Sequence, residues 1–563
     1  MKKFIYLMLC ISIIFIACDI EGTVDTPEFS ENDDAADDSD SGDQSSEWDG
    51  NIDSIEDLIR VADGLSGDYV LTCDLDFNDP GSYESGVVDI SLTSGEGFQP
   101  IGSYATFENQ DAKFSGSFDG QNYTISNLYI NRPDESFVGL FGAAGVTSRI
   151  HNLVLENPIV TGDGLVGAVI GRLDDYYEGD ETGSIILELC SVTGAVITGD
   201  SNTGGLVGKI YSSYDLDILL SGCVFQGTID GGSYTGGIVG DIDAGLINFS
   251  SCTVQDGSSV SGDDYTGGLA GRLLHLGSMT ESHNLADVSG GLDTGGAVGF
   301  LYGEDDTSLV SDSLSTGDVT LNGQGGGFIG RLRNASVINC HNTGNVMILE
   351  SGGTSYGGFI GYINYDSAYY DDDNSRISNC SSTGTVNSDI SGIIGSFIGL
   401  AYMSVEDCYT TGSIDSVSSS QIGGFIAGTS RSVKNCYTTG SVIGINGVTI
   451  GGFAGQLGSD GSIENCIAFG DSIGSGTAEN INANLFVGSS LGNLSQIYVN
   501  DNMTMSFSVS AVPNGDAGTD LSSAEFINSA STVYSTWDFT STWTITPEGP
   551  ELQDKLTLLA SLE

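Results

Sequence analysis

The chain has 563 residues, of which 15 are Lys or Arg and 76 are Asp or Glu, so its formal net charge is −61. Such an acidic surface repels nucleic acids and anionic lipid headgroups, which leaves neutral glycans, basic proteins or loosely held cations as partners. The 82 glycines lack the period of collagen, and with 23 Phe and 23 Tyr the chain is too aromatic to be disordered throughout.

The first 18 residues predict an export signal. Two lysines precede an apolar run at residues 4–16, which is short for a membrane span and typical of a secretory signal. The run is followed by Ala17 and Cys18, which resemble a bacterial lipobox. This resemblance implies that Cys18 is lipidated and becomes the mature N-terminus. A simple secretion signal that is cut elsewhere is the alternative.

Residues 19–50 are rich in acidic side chains and contain no Lys or Arg. Because like charges repel and little apolar area can be buried, we expect a disordered acidic tether. An anchor, a tether and a folded body together predict a protein of the bacterial cell envelope, held to the outer membrane or cell surface by its N-terminal lipid. Asp19 after Cys18 leaves the inner membrane as the other placement.

Residues 51–135 are predicted to form an N-terminal cap and entry coils. Ser54 and Asp57 make a helix start that resembles a capping box. A short helix of this kind can cover the open edge of a first coil. Its apolar face is predicted to consist of Ile55, Leu58, Ile59 and Ala62.

Residues 136–488 repeat a motif of two glycines, two apolar residues and a glycine, at a mean spacing of about 31 residues. Each unit holds three short β-like pieces rich in Val, Ile, Phe and Thr, and lacks a long amphipathic helix. A propeller blade needs a longer repeat. The last motif position is occupied by Gly142, Gly171, Gly208, Gly240, Gly271, Gly299, Gly330, Gly361, Gly399, Ala427, Gly455 and Gly488.

We therefore predict an all-β parallel β-helix of about 11–12 coils, with small caps at both ends. Residues 489–563 are predicted to supply the last coils and a cap over that end. Glycine suits the sharp corners, and the apolar pair belongs to the core, although alternation would turn only one of its members inward. The residue after the motif is predicted to face solvent, as in Arg172, Lys209, Asp241, Arg272 and Arg331.

Eight cysteines occupy one position of the repeat, which Leu153, His283 and Ser313 take in other units. Disulfides, a metal ladder and buried free thiols are all compatible with an exported chain. The spacing lacks the close pairs of a zinc site. The column consists of Cys190, Cys223, Cys252, Cys340, Cys380, Cys408, Cys436 and Cys466.

Several loops that follow the motif are acidic and rich in tyrosine. Their carboxylates are candidate calcium ligands, and their rings are candidate contacts for a sugar or protein; solvated surface loops are the alternative. No other metal or cofactor is expected. The candidate ligand residues are Asp174, Asp175, Tyr176, Tyr177, Glu304, Asp305, Asp306, Tyr369, Tyr370, Asp371, Asp372 and Asp373.

The motifs "GGLVG" (204–208) and "GGFIG" (326–330), interleaved with "NCYTTGSV" (435–442), resemble the GLUG-repeat family of bacterial surface proteins. The resemblance spans about residues 50–552, with weakened motifs at Ser396 and Ala427. It implies a right-handed β-helix that is exposed or secreted, often within adhesins.

Nucleophile, phosphate-loop and HExxH signatures are missing, so we expect a non-catalytic binding surface for adhesion or for a protein or glycan partner, on a monomer. A carbohydrate-active or carbohydrate-binding β-helix is the alternative, because a glycosidase needs only two carboxylates. A spacer without a ligand is the third reading.

Overall fold

The computed structural model describes residues 48–103, 112–145, 147–174, 184–212, 217–303, 307–350, 353–364, 375–416, 419–444, 449–474, 482–505, 519–528, 531–553 and 555. The chain divides into residues 1–48 and one compact unit, residues 49–563. The unit is a parallel β-solenoid of about 11 turns, with 54% strand and 6% helix, which confirms the predicted fold class. Predictions for residues 1–47 lie outside the described residues.

Each full coil passes through five short strands that stack in parallel on the next coil, and we name the five stacks ladders A to E in chain order. Ladder A contains Asn51–Ile52, Asp68–Leu71, Ser117–Asp119, Arg149–His151, Ser184–Glu188, Asp217–Ser221, Leu309–Ser311, Ser336–Ile338, Arg376–Ser378, Ser404–Glu406 and Ser432–Lys434. Ladder B contains Leu75–Asp76, Thr124–Ser126, Val154–Glu156, Thr253–Val254, His283–Asn284, Leu314–Ser315, His341–Asn342, Ser381–Ser382, Tyr409–Thr410, Tyr437–Thr438 and Thr519–Leu521. Ladder C contains Tyr129–Arg132, Ile159–Gly162, Ser259–Ser261, Asp287–Gly290, Val319–Leu321, Val346–Ile348, Val386–Ser388, Ile414–Ser416, Val442–Gly444, Ser472–Ile473 and Thr504–Met505.

Ladder D is a separate sheet of Gly164–Gly167, Ser201–Gly204, Ser233–Gly236, Thr266–Gly267, Thr294–Gly295, Gly325–Gly326, Ser355–Gly357, Ile393–Gly395, Gln421–Gly423, Thr449–Gly451 and Asn482–Asn484. Ladder E contains Phe141–Ala144, Ile170–Asp174, Val207–Tyr211, Val298–Gly303, Ile329–Arg333, Ile360–Ile363, Ile398–Ala401, Ile426–Thr429, Ala454–Leu457 and Val487–Ser490. Some strands run through two ladders: Ser191–Thr198 and Val224–Asp230 join B to C, Val239–Ser250 and Ala270–Thr280 join E to A, and Ser462–Ala468 and Asn493–Asn500 join A to B.

The corner between ladders A and B explains why asparagine precedes cysteine in the repeat. Asn339, Asn379 and Asn435 have φ of 54°, 55° and 50°, a left-handed conformation that asparagine tolerates better than most residues. Their amides also link coils, as where Nδ2 of Asn435 donates to Oδ1 of Asp407 at 3.1 Å. This corner divides one of the three predicted pieces into two strands.

The repeated motif forms the corner between ladders D and E. A Cβ at Gly208 would lie 2.5 Å from the carbonyl oxygen of Gly171 and 2.5 Å from the backbone nitrogen of Val166, so no larger residue fits without a backbone shift. Because the chain bends between the two apolar residues of the motif, both are buried, as for Leu206 and Val207. Strict alternation would bury only one of the two apolar residues. The bend at the corner allows both side chains to point into the core.

The later coils stack one phenylalanine of the motif on the next. Neighbouring ring centroids lie 4.8–5.0 Å apart, and every ring is fully buried. The stack therefore holds the coils in register along the core. It consists of Phe328, Phe359, Phe397, Phe425, Phe453 and Phe486.

The N-terminal helix Ile55–Arg60 follows the predicted start, since Oγ of Ser54 accepts from the backbone nitrogen of Asp57 at 3.2 Å. Ile55 and Leu58 are buried, whereas Ile59 is exposed, so the apolar face is narrower than predicted. Short helical turns follow at Val61–Asp63, Pro80–Ser82 and Ile90–Thr93.

The C-terminal region differs from the predicted end cap. Residues 522–553 hold the helix Ser523–Phe526, the turn Thr532–Tyr534 and an antiparallel hairpin of Trp543–Thr546 and Gly549–Leu552. This segment, which we call the clasp, packs sideways on ladder B of earlier coils. Trp543 lies 6.1 Å from the Tyr409 ring and 5.9 Å from the Tyr437 ring. The reason is that ladder B presents aromatic side chains outward in these coils, and the clasp buries these apolar rings away from water.

Candidate functional site

The residue that follows each motif lies in an outward column of ladder E. Backbone pairing places Arg172, Lys209, Asp241 and Arg272 on successive coils. The prediction that this column simply faces solvent is wrong. The Asp241 side chain is fully buried, and the side chains of Arg172, Lys209 and Arg272 are each 20% exposed. The cause is an ion-pair network that crosses from coil to coil.

Asp241 is the centre of this network. Its carboxylate lies 2.8 Å from Nζ of Lys209 on the preceding coil. On the following coil, Nε and Nη2 of Arg272 donate to the two carboxylate oxygens at 2.8 Å and 3.0 Å. Both oxygens therefore hold a cation in fixed, partly bidentate geometry.

Asp174 makes a similar centre nearer the N-terminus. It ends the strand Ile170–Asp174, is fully buried, and contacts Nζ of Lys113 at 2.8 Å and Nε of Arg172 at 2.6 Å. Asp174 was predicted to be a calcium or partner ligand in an exposed acidic loop. Its carboxylate is instead buried and paired with Lys113 and Arg172. Alternation along the strand turns it outward, and the two cations cover it.

Asp293 makes a third centre two coils beyond Asp241. Arg331 donates to it through Nε at 3.1 Å and contacts it through Nη2 at 3.0 Å, and Nε2 of Gln324 donates to it at 2.9 Å. Burial raises the pKa of Asp293 to about 6, although the charge of Arg331 and the hydrogen bond from Gln324 oppose the shift. This ion pair therefore weakens below pH 6.

Aromatic rings lie between the ion pairs. Tyr234 and Tyr265 stack in parallel at 5.0 Å, and the guanidinium of Arg272 lies 4.5 Å from the Tyr234 ring. Phe300 lies 6.1 Å from Tyr265 and 5.4 Å from the guanidinium of Arg331. The rings are half-buried, so they keep partly open faces or edges beside fixed charges.

We call this surface the ion–ring stripe. It holds six of the 15 Lys and Arg residues of a very acidic chain and three buried carboxylates, so its cations outnumber its anions. The stripe consists of Lys113, Arg172, Lys209, Arg272, Arg331 and Arg333, of Asp174, Asp241 and Asp293, and of Tyr211, Tyr234, Tyr265, Phe300 and Tyr302.

The rings of the stripe were not predicted from the sequence. Tyr234, Tyr265 and Asp293 each stand one residue before a "TGG" segment, at φ of 63°, 60° and 58°. The residue before "TGG" and the residue after the motif form two columns of the repeat. A comparison of these two columns would have predicted aromatic rings beside cations. The other candidate ligands, Asp175, Tyr176, Tyr177, Glu304, Asp305, Asp306, Tyr369, Tyr370, Asp371, Asp372 and Asp373, lie outside the described residues.

The cysteine column is buried, and all of its thiols are free. Each thiol lies within hydrogen-bonding distance of the carbonyl oxygen two residues earlier, as for Cys380 and Ser378 at 3.1 Å. The position assigned to His283 belongs instead to Ser282, which donates to its own corner carbonyl at 2.9 Å, as Ser313 does at 2.8 Å. The column therefore supplies a small buried donor to each corner.

Within the described ranges, no cluster of three or more His, Cys, Asp or Glu side chains is arranged so that it could hold a metal ion. In the same part of the chain, no helix combines the length and apolar character that a membrane crossing requires.

These coils define a repeat protein of the parallel β-solenoid class. A sequence profile of the GLUG motif matches residues 322–347 and 352–387. These coils therefore carry the GLUG motif that was expected from the sequence.

Two curated relatives are similar to part of the chain. Halomucin of Haloquadratum walsbyi is 29% identical over 303 residues, which cover 44% of this chain and 3% of halomucin. A protein of Evansella cellulosilytica, whose name describes a Gly-rich membrane protein, is 37% identical over 94 residues, which cover 15% of this chain and 10% of that protein. The chain thus spans a small part of either relative.

Among solved structures, the chain matches a protein of Bacteroides ovatus that is named as an immunoglobulin A1 protease. The match covers 90% of this chain and 92% of that chain, at 14% identity and a TM-score of 0.25. This score is too low for any conclusion about shared fold or activity.

Proposed function

We propose that the chain is a lipid-anchored protein of the bacterial cell envelope whose solenoid binds a neutral glycan along the ion–ring stripe and so serves adhesion. The observation that carries the proposal is the stripe itself. Rings and paired charges are held there at fixed distances over several coils, as in the Asp241 centre and the Tyr234–Tyr265 stack.

The chemistry of the stripe suits a sugar chain. Carbohydrate C–H faces pack on aromatic rings, and sugar hydroxyls need both donors and acceptors in defined positions. Ion pairs such as Arg272 with Asp241 hold such groups in fixed positions. Because the pairs exist before binding, little side-chain entropy is lost on contact.

Display on the cell surface is supported by the sequence and by the relatives. Cys18 and the acidic segment after it have the pattern of a lipid anchor and a tether. One relative is named halomucin and the other a Gly-rich membrane protein, which supports a surface or envelope placement.

A binding role is favoured over catalysis. A glycosidase needs two carboxyl groups that reach the glycosidic bond. The three carboxylates of the stripe, Asp174, Asp241 and Asp293, are fully buried and engaged with cations. They are better suited to hold neighbouring side chains than to transfer protons to a substrate.

The glycan proposal is tested with the purified full chain on a glycan array. We expect binding that is lost when Tyr234→Ala and Arg272→Ala are combined. The matched control combines Tyr123→Ala and Arg149→Ala, which remove an exposed ring and an exposed cation outside the stripe. Absence of binding by the wild type, or equal losses in both double variants, would refute the proposal.

Display and anchoring are tested on cells. Metabolic acyl label should be incorporated into the wild type and be absent from Cys18→Ala. Protease added to intact cells should remove the labelled protein while a periplasmic marker survives. A labelled protein that resists the protease until the outer membrane is permeabilised would contradict surface display.

A further inference from the structure

The outward column of ladder E contains one gap. Beyond Arg331, backbone pairing places Tyr362, Leu400, Gly428 and Gln456 on successive coils. Gly428 has no side chain, whereas the rungs on both sides carry long ones. The result is a pit of about 150 Å³ in the same column as the stripe, which we call the Gly428 pit.

The lining of the Gly428 pit is uncharged and offers both donors and acceptors. Nε2 of Gln421 donates to the carbonyl oxygen of Ala427 at 2.5 Å, which fixes this amide beside the pit. Oγ1 of Thr429 accepts from the backbone nitrogen of Arg431 at 3.0 Å, so its own proton is available for donation. The Gln456 amide and the Ser430 hydroxyl complete the polar rim.

The pit also has an apolar side, formed by Leu400 and by the ring of Tyr402. Tyr402 is held by an edge-to-face contact with Tyr362 at 6.3 Å. A pit with one apolar wall and several amides and hydroxyls matches a pyranose, which has C–H faces and a rim of hydroxyls.

The size of the pit limits what it can hold. Its volume of about 150 Å³ suits one sugar ring. The pit is open to solvent on one side, so the neighbouring residues of a longer chain would lie outside it. Drug-sized ligands need larger pockets, of about 300 Å³ or more.

We infer that the Gly428 pit is a subsite for a single neutral pyranose residue of the glycan that lies along the ion–ring stripe. The inference rests on the proposed glycan function and adds the place where one sugar of the chain is seated. Ligands of this size bind weakly on their own, so the dissociation constant for a free pyranose should be about 1 mM.

A side chain at position 428 tests this inference with little risk to the fold. A Cβ there would meet only the ends of flexible side chains, namely Cδ2 of Leu400 at 2.7 Å and Nε2 of Gln421 at 2.8 Å. Gly428→Leu therefore fills the pit. Ser489→Leu adds the same side chain two rungs further along the column and serves as the matched control.

The measurement is saturation-transfer NMR on the purified full chain with free glucose, galactose, mannose and N-acetylglucosamine as probes. We expect transfer to the ring protons of at least one pyranose, at least tenfold weaker binding in Gly428→Leu, and no change in Ser489→Leu. Gln456→Leu, at an exposed rim position, should also weaken binding.

Two results would overturn the inference: no transfer to any of the four sugars by the wild type, or equal transfer in Gly428→Leu. Each is distinguishable from failure of the proposed function. If the array shows glycan binding that Gly428→Leu leaves intact, the stripe binds and the pit does not. If free sugars bind at the pit but the protein binds no glycan on the array, the stripe proposal is wrong and the pit remains a sugar site.

Discussion

Replacement of Asp241 by asparagine tests whether the ion–ring stripe is a fixed structure. The change removes the negative charge from one buried centre and leaves Lys209 and Arg272 without their common partner. Loss of one member of a buried ion pair costs about 3–5 kcal/mol. Because each cation is 20% exposed, water compensates part of the loss, and we expect the lower end, about 3 kcal/mol.

Hydrogen exchange resolves this loss coil by coil. Protection of Val207–Tyr211, Val239–Ser250 and Ala270–Thr280 should fall about 100-fold, since each factor of ten corresponds to about 1.4 kcal/mol. Glu464→Gln is the matched control. It removes the exposed pair with Lys434, 3.5 Å long and about half exposed on both sides, and should cost less than about 1 kcal/mol.

Equal effects of Asp241→Asn and Glu464→Gln would show that the stripe is not a fixed structure. The stripe would then behave as an ordinary solvated surface, and its side chains would not be held in position for a ligand.

Three further predictions concern the core and the clasp. Cys380→Ser should be tolerated better than Cys380→Val in urea unfolding, because serine keeps the donor to the Ser378 carbonyl, whereas valine removes that hydrogen bond at a cost of about 1 kcal/mol and leaves only the one from the Asn339 backbone nitrogen. Phe397→Ala should cost about 3–5 kcal/mol in the same assay, because the ring is fully buried and stacked on both sides. Burial, assisted by the charge of Lys555, lowers the pKa of His341 to about 3, so the unfolded chain takes up the proton first as pH falls. The His341 contribution should thus decrease stability below about pH 6.5 by about 1.4 kcal/mol per pH unit, and it should appear as the difference in unfolding free energy between the wild type and His341→Gln.

The solenoid could be predicted because its cause is local and repeated. Glycine at positions such as Gly208 is required by backbone contacts that recur in every coil, so the period appears in the sequence. The cysteine column was visible for the same reason, although its function as a corner donor depends on the left-handed residue before it.

The stripe could not be predicted from the same pattern. Alternation indicates that Arg272 points outward, but it does not reveal that a carboxylate 31 residues earlier in the chain covers it. The clasp was predicted at the end of the rod for a related reason: its aromatic residues pair with Tyr409 and Tyr437, which only the three-dimensional stack turns toward it.

Hydroxyl-radical footprinting with a bound glycan measures whether the glycan covers the ion–ring stripe. The array-selected glycan should lower oxidation of Tyr234, Tyr265 and Tyr302 and leave Tyr123, which is 39% exposed on another surface, unchanged. Protection of Tyr123, or unchanged oxidation of all three stripe tyrosines at saturating glycan, would contradict glycan binding along the stripe.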